Sequence, residues 1–277
     1  MGKQSEHEIG VDGRKRGYLL YVPDGYDAGQ PAPLVLSLHG LADWPARQAV
    51  MSRWNELADR EGCLVVYPRG HGVPLHWVTR SSWIFSMEPS QEAGFIDSLL
   101  DELGERFNID TGRVYVNGFS NGGGMSFLLA CMLPERFAAM GLVSAALSYW
   151  PEDCDLSSPL PAMLFHGTSD PIVPYHGGST LLFPLPFPDI PAWAQRLAGC
   201  YGSQDQPETL PVGENVSGVR YHGAQAQDEV VLYTIQGGGH TWPGGNPLSG
   251  GVLGHTTQQI DATAQLWDFF CKYRKSD

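Results

Sequence analysis

At 277 residues and 42% apolar composition the chain can bury most of the surface its unfolded form exposes, which excludes a disordered polypeptide and a dependence on disulfide or metal staples. Seventeen basic against thirty acidic residues leave a formal charge of −13, which disfavours nucleic acid and anionic membranes as partners. No run reaches the ~18 apolar residues of a membrane span, and residues 1–17 are polar with no leader-like apolar core. The expectation is a soluble protein, secreted or periplasmic if a leader has been removed and otherwise cytoplasmic.

In chain order, 16–23 reads as a first strand closed by Pro23, and 24–33 as a turn-rich connection. Residues 33–39 are nearly continuous in apolar side chains, as in a central parallel strand covered on both faces, and they end at His39-Gly40-Leu41. Val50, Met51, Trp54, Leu57 and Ala58 give 48–60 the spacing of a helix with one buried face, and 63–67 is another buried strand. From 68 to 91 the pattern dissolves into Gly, Pro, His, Trp and Ser, a loop long enough to overhang a site. Helical spacing returns over 95–107, and 108–112 reads as the end of that helix. Strand-like residues from Val114 then run into Gly118-Phe119-Ser120-Asn121-Gly122 and an apolar helix over 125–133. Further elements are a small apolar run at 138–145, a strand at 162–166, an irregular stretch at 171–191, a last strand at 229–236 and a closing amphipathic helix marked by Ile260, Ala264, Trp267, Phe270 and Cys271. Alternating strands and helices without a linker or repeat predict one α/β domain over 1–277, a doubly wound, mostly parallel sheet with helices on both faces and loops over the site. Sites on such sheets gather at the carboxyl ends of the strands.

Three of those ends carry the parts of an acyl-transfer site. Gly-x-Ser-x-Gly between a strand and a helix is the context of a nucleophile elbow, which makes Ser120 the candidate nucleophile. A serine hydroxyl needs an imidazole to take its proton and a carboxylate to orient that imidazole. Asp170 follows the strand ending at His166, and His240 follows three glycines after the last strand. The order Ser120, Asp170, His240 is that of α/β-hydrolases. Asp153, Asp155 and Asp189 are alternative acids but lack an obvious strand before them, and no other histidine occupies a comparable position. The main-chain N–H groups of Leu41 and Asn121 are the candidate oxyanion donors. Trp77, Trp83, Phe183, Phe187 and Trp242 are candidates for an apolar substrate wall.

Other signals point nowhere in particular. No metal, nucleotide or other cofactor pattern is present, and His71 and His76 read as exposed loop histidines. Among five cysteines, Cys63, Cys131 and Cys271 read as buried thiols, with Cys154 and Cys200 left as the pair that could be bridged.

Taken together, His39-Gly40, the 118–124 run, His166-Gly-Thr-Ser-Asp-Pro-Ile-Val-Pro-Tyr175 and Gly237-Gly-Gly-His-Thr-Trp-Pro-Gly244 resemble the polyhydroxybutyrate depolymerase and feruloyl esterase group of α/β-hydrolases. The likeness spans nearly the whole chain. It implies cofactor-free ester hydrolysis through Ser120, Asp170 and His240 on feruloyl or related small esters. Polyhydroxyalkanoate oligomers and acetyl esters are the alternative substrates, and a catalytically silent glycan or polyester binder is the alternative outside enzymes. The chain departs from the group at Glu92-Ala93-Gly94, where Asp-Val-Gly is more usual, a difference expected to alter only a helix cap.

Overall fold

A computed structural model describes residues 1–80, 88–151, 154, 156, 159–181, 186–203, 206–225, 228–247 and 253–275. The central strands form where the sequence has unbroken apolar runs: β3 (Ala32–Leu38), β4 (Leu64–Pro68), β5 (Ile109–Phe119), β6 (Ala139–Val143), β7 (Ala162–Gly167) and β12 (Glu229–Ile235). They pair in parallel in the order β4-β3-β5-β6-β7-β12. Antiparallel strands extend both edges: β1 (Lys3–Val11) and β2 (Arg14–Val22) beside β4, and β11 (Val216–His222) and β10 (Glu208–Gly213) beside β12.

Side chains alternate between the two faces of the sheet, and each face is sealed by its own helices. Leu34, Leu36, Val114 and Val116 pack with α3 (Pro89–Arg106), α4 (Asn121–Met132) and α5 (Ile190–Cys200). Val35 and Tyr115 pack on the other face with α1 (Pro45–Ser52), α2 (Trp54–Glu61) and α6 (Ala262–Phe270). The doubly wound, mostly parallel sheet expected from the alternation is therefore present.

Several elements differ from the sequence-based expectation. Residues 3–11 form an edge strand in register from Lys3 opposite Val22 to Val11 opposite Arg14; with no fully buried residue, it lacks the apolar pattern that would reveal it. The single helix expected over 48–60 is two, broken at Arg53, which adopts a left-handed φ of 61°. That turn aims Trp54 into the core, where its Nε1 donates to Asn117 Oδ1 at 3.2 Å. Residues 109–112 open β5 instead of ending a helix. The irregular 171–191 stretch contains a small ribbon of β8 (His176–Gly178) and β9 (Phe187–Asp189).

The cysteine reading is also corrected. Cys131 is bonded to Cys154, while Cys200 is free and exposed. Cys131 lies at the end of α4 within reach of the loop after β6, a proximity no sequence spacing reveals. Cys63 is a buried thiol as expected, but Cys271, just past α6, is exposed.

Candidate active site

The turn between β5 and α4 places Ser120 at φ 54° and ψ −120°, a conformation that is strained for a side-chain-bearing residue. It is held from both sides: Ser120 N–H donates to Val143 O at 2.9 Å, and Ser120 O accepts from Gly124 N–H at 3.0 Å. The flanking glycines are there for close approach. A Cβ at Gly118 would lie 2.3 Å from the Gly122 backbone, and one at Gly122 would lie 2.4 Å from Leu38 O. Beneath the turn, buried Asn117 accepts from Ser37 Oγ at 3.0 Å and donates to Leu36 O at 3.2 Å, tying β5 to β3.

After β7 the chain turns at Asp170, whose Oδ1 accepts from the N–H groups of Ile172 and Val173, each at 2.8 Å. Its Oδ2 lies 2.8 Å from Nδ1 of His240. Both side chains are buried. Because a carboxylate only accepts, Nδ1 carries the proton and Nε2 is left as the basic nitrogen. His240 is held by donation of its N–H to Leu253 O at 2.7 Å and by the Phe119 ring, 4.8 Å away between centroids. The structure thus brings Ser120 and His240 to one cavity, with Asp170 behind the imidazole. No hydrogen bond joins Ser120 Oγ to His240 among the described residues, a looseness common in sites without substrate.

Sequence reasoning missed the residues that brace this arrangement. His166 lies 3.4 Å from Asp170 Oδ2, but its Nε2 donates to Val173 O at 2.8 Å, and burial lowers its pKa. It is a neutral strut for the acid loop. His39 is likewise committed at both ring nitrogens: Nδ1 donates to Gly40 O at 2.8 Å and Nε2 accepts from Gly70 N–H at 2.9 Å. Burial pushes its pKa down to about 4. The available signal was position, since both histidines end buried strands.

The main-chain N–H groups of Leu41 and Asn121 make no hydrogen bond among the described residues, and both residues border the cavity space at Ser120. The Asn121 side chain has a separate task. Its Oδ1 accepts from Trp77 N–H at 2.7 Å and its Nδ2 donates to Trp77 O at 3.1 Å, so one amide clamps the overhanging loop to the elbow. A second anchor is Glu92, which is fully buried, pairs with Arg16 at 2.7 Å and accepts from Val78 N–H at 3.3 Å. This corrects the expectation of a helix cap: α3 begins at Pro89 with a capping box from Glu88 and Gln91, and Glu92 faces inward.

The space around Ser120 has two lobes, of about 280 Å³ and about 550 Å³, which share Leu41, Ser120 and Ile172. Trp242 borders the smaller lobe but is almost wholly buried, with Nε1 donating to Thr263 Oγ1 at 3.0 Å. Trp77 and Phe187 border the larger lobe, Trp77 with its Nε1 donating to His39 O at 2.9 Å. Trp83 and Phe183, and the alternative acids Asp153 and Asp155, lie outside the described residues. Asp189 instead caps α5, accepting from Ala192 N–H at 2.9 Å. His71 and His76 are half-buried partners in a short antiparallel bridge, not exposed loop residues. Among the described residues no group of three or more His, Cys, Asp or Glu side chains is placed to hold a metal ion.

Comparison with known proteins points the same way as the fold. Residues 16–177, more than half of the chain, match the family described as esterase PHB depolymerase. NocK of Nocardia uniformis subsp. tsuyamanensis, which carries a provisional esterase designation, is 30% identical over 95% of this chain and 81% of its own length. The probable feruloyl esterase C of Aspergillus niger is 27% identical over 94% of this chain and 84% of its own. Among solved structures, the acetyl xylan esterase from Aspergillus awamori superposes with a TM-score of 0.69 at 16% identity, covering 96% of this chain and 99% of that one, a likeness of fold.

Proposed function

The chain belongs to the esterase PHB depolymerase family and is a carboxylic ester hydrolase, and from that premise we propose that Ser120, His240 and Asp170 are its catalytic triad. The observation that carries the assignment is the 2.8 Å contact from Asp170 to His240 Nδ1, which orients the imidazole of a residue that lines the same cavity as Ser120. Ser120 Oγ attacks the ester carbonyl as His240 Nε2 takes its proton, and Asp170 stabilises the resulting imidazolium. The oxyanion is received by the N–H groups of Leu41 and Asn121. Collapse releases the alcohol, protonated by His240, and leaves an acyl-Ser120 ester. Water activated by the same imidazole then frees the acid and restores the serine.

The substrate class is feruloyl or related hydroxycinnamoyl esters of small alcohols. Support comes from the feruloyl esterase designation of relatives and from a larger lobe bordered by Trp77, Tyr149 and Phe187, which suits an aromatic acyl group better than an acetyl or 3-hydroxybutyryl group. One sheet running through all the central and edge strands supports a single catalytic domain. The Cys131–Cys154 bond supports maturation in an oxidising compartment; among the described residues no helix is long and apolar enough to cross a membrane.

Substitution Ser120→Ala is expected to abolish turnover of methyl ferulate and 4-nitrophenyl esters with the circular dichroism spectrum unchanged. A fluorophosphonate probe should label the wild type at Ser120 alone. Retained turnover in the variant, or no labelling of the wild type, refutes the assignment; the latter returns the chain to a silent binder.

A further inference from the structure

Ser120 stands where the two lobes of the cleft meet, and the chemistry of ester cleavage tells them apart. The departing alkoxide takes its proton from the imidazolium, so the leaving oxygen lies within hydrogen-bond reach of His240 Nε2. His240 borders the smaller lobe and not the larger, whereas Asn121, whose N–H receives the oxyanion, borders the larger and not the smaller. Once the serine, the oxyanion and the leaving oxygen have taken their directions around the tetrahedral carbon, the remaining substituent is the acyl chain. The open direction for it is the larger lobe.

We infer that the acyl chain seats in the larger lobe against Leu147, Tyr149 and Phe187, and that the alcohol leaves through the smaller lobe, where Asp43 and Arg47 read its hydroxyl groups. The assignment rests on hydrolysis at Ser120 as proposed above. The chemistry of the two walls agrees with it. Leu147, Tyr149, Val173 and Phe187 give the larger lobe apolar sides, with Arg80 exposed at its rim above the Tyr149 ring. The smaller lobe contains a carboxylate and a guanidinium 3.6 Å apart, whose side chains are 10% and 29% exposed. Asp43 Oδ1 accepts from Trp44 N–H at 2.9 Å, and its second oxygen has no hydrogen-bond partner among the described residues. A paired acceptor and donor in the lining of the smaller lobe suit an alcohol with further hydroxyls, and a methyl ester leaves both unused.

The test crosses two acids with two alcohols: the methyl and glucose-6-yl esters of ferulic and acetic acids. Asp43→Asn and Arg47→Ala should each lower the kcat/KM ratio of glucosyl over methyl ester about tenfold for both acids, the scale of one lost hydrogen bond to a polar substrate group. They should leave the ferulate-to-acetate ratio of the methyl esters where it is in the wild type. Phe187→Ala should do the converse, lowering the ferulate-to-acetate ratio with both alcohols and leaving the glucosyl-to-methyl ratio unmoved. The opposite pairing of variants and ratios, or both ratios moving in every variant, overturns the assignment of the lobes while hydrolysis itself stands. No turnover of any of the four esters by a wild type that fluorophosphonate does not label overturns the hydrolase mechanism beneath it.

Discussion

Replacing Asp170 by asparagine keeps the side-chain shape but removes the charge that faces His240 Nδ1. The amide either presents an N–H to the ring and forces the proton to Nε2, or keeps an acceptor without charge. Asp170→Asn is therefore expected to lower kcat by about 10³–10⁴ with little change in KM, measured on a 4-nitrophenyl ester. His39 is a residue of the opposite kind, adjacent to the site yet spent on structure. Its two ring nitrogens join the end of β3 to Gly70, and its carbonyl holds the Trp77 indole. Position in the chain made Ser120, Asp170 and His240 legible as candidates, because each follows the end of a strand, Ser120 and His240 in Gly-rich turns and Asp170 three residues after Gly167. The bracing by His39, His166, Glu92 and Asn117 was not legible, since a buried polar residue looks like a surface one until its partners are known.

At the scale of elements, two tethers hold the overhanging loop and the cleft wall. The Arg16–Glu92 pair joins β2 to α3 and also receives Val78 N–H, with the guanidinium 4.0 Å above the Phe95 ring. Glu92→Ala leaves Arg16 charged and unpaired in the core and should cost about 3–5 kcal/mol in urea unfolding, more than the double change Arg16→Met with Glu92→Leu. The Cys131–Cys154 bond closes a loop of sequence separation 23 that contains β6 and the Leu147–Tyr149 wall. Its removal as Cys131→Ala with Cys154→Ala should lower stability by about 3 kcal/mol, read as a drop in Tm relative to the oxidised wild type. The parallel strands were evident from their apolar runs. Edge strands β1, β10 and β11 were not, because strands with exposed faces alternate weakly and lack the continuous signal of a covered one. The break at Arg53 was also hidden: nothing in the local sequence marks a left-handed turn, and the burial of Trp54 beside Asn117 decides it.

For the whole molecule, buried neutral histidines set a dependence of stability on pH. His39 has a folded pKa of about 4 against an ordinary 6.5, so the unfolded chain binds the proton more readily. The contribution is complete above pH 6.5, declines as the pH falls towards 4 and reaches up to about 3 kcal/mol, with buried His166 acting in the same direction. Urea midpoints should thus fall between pH 7 and 5 even though the net charge of −13 diminishes over that range and relieves self-repulsion. In His39→Gln the slope should flatten; an unchanged slope would place the dependence elsewhere.

The double hydrogen bond from Asn121 to Trp77 gives the entrance a character of its own. Asn121, the residue after Ser120, also holds Trp77 at the border of the larger lobe, so a shift of Trp77 there pulls on the turn that carries Ser120. Elbow and cleft wall are therefore coupled at this one point, and a change at Trp77 is felt at Ser120.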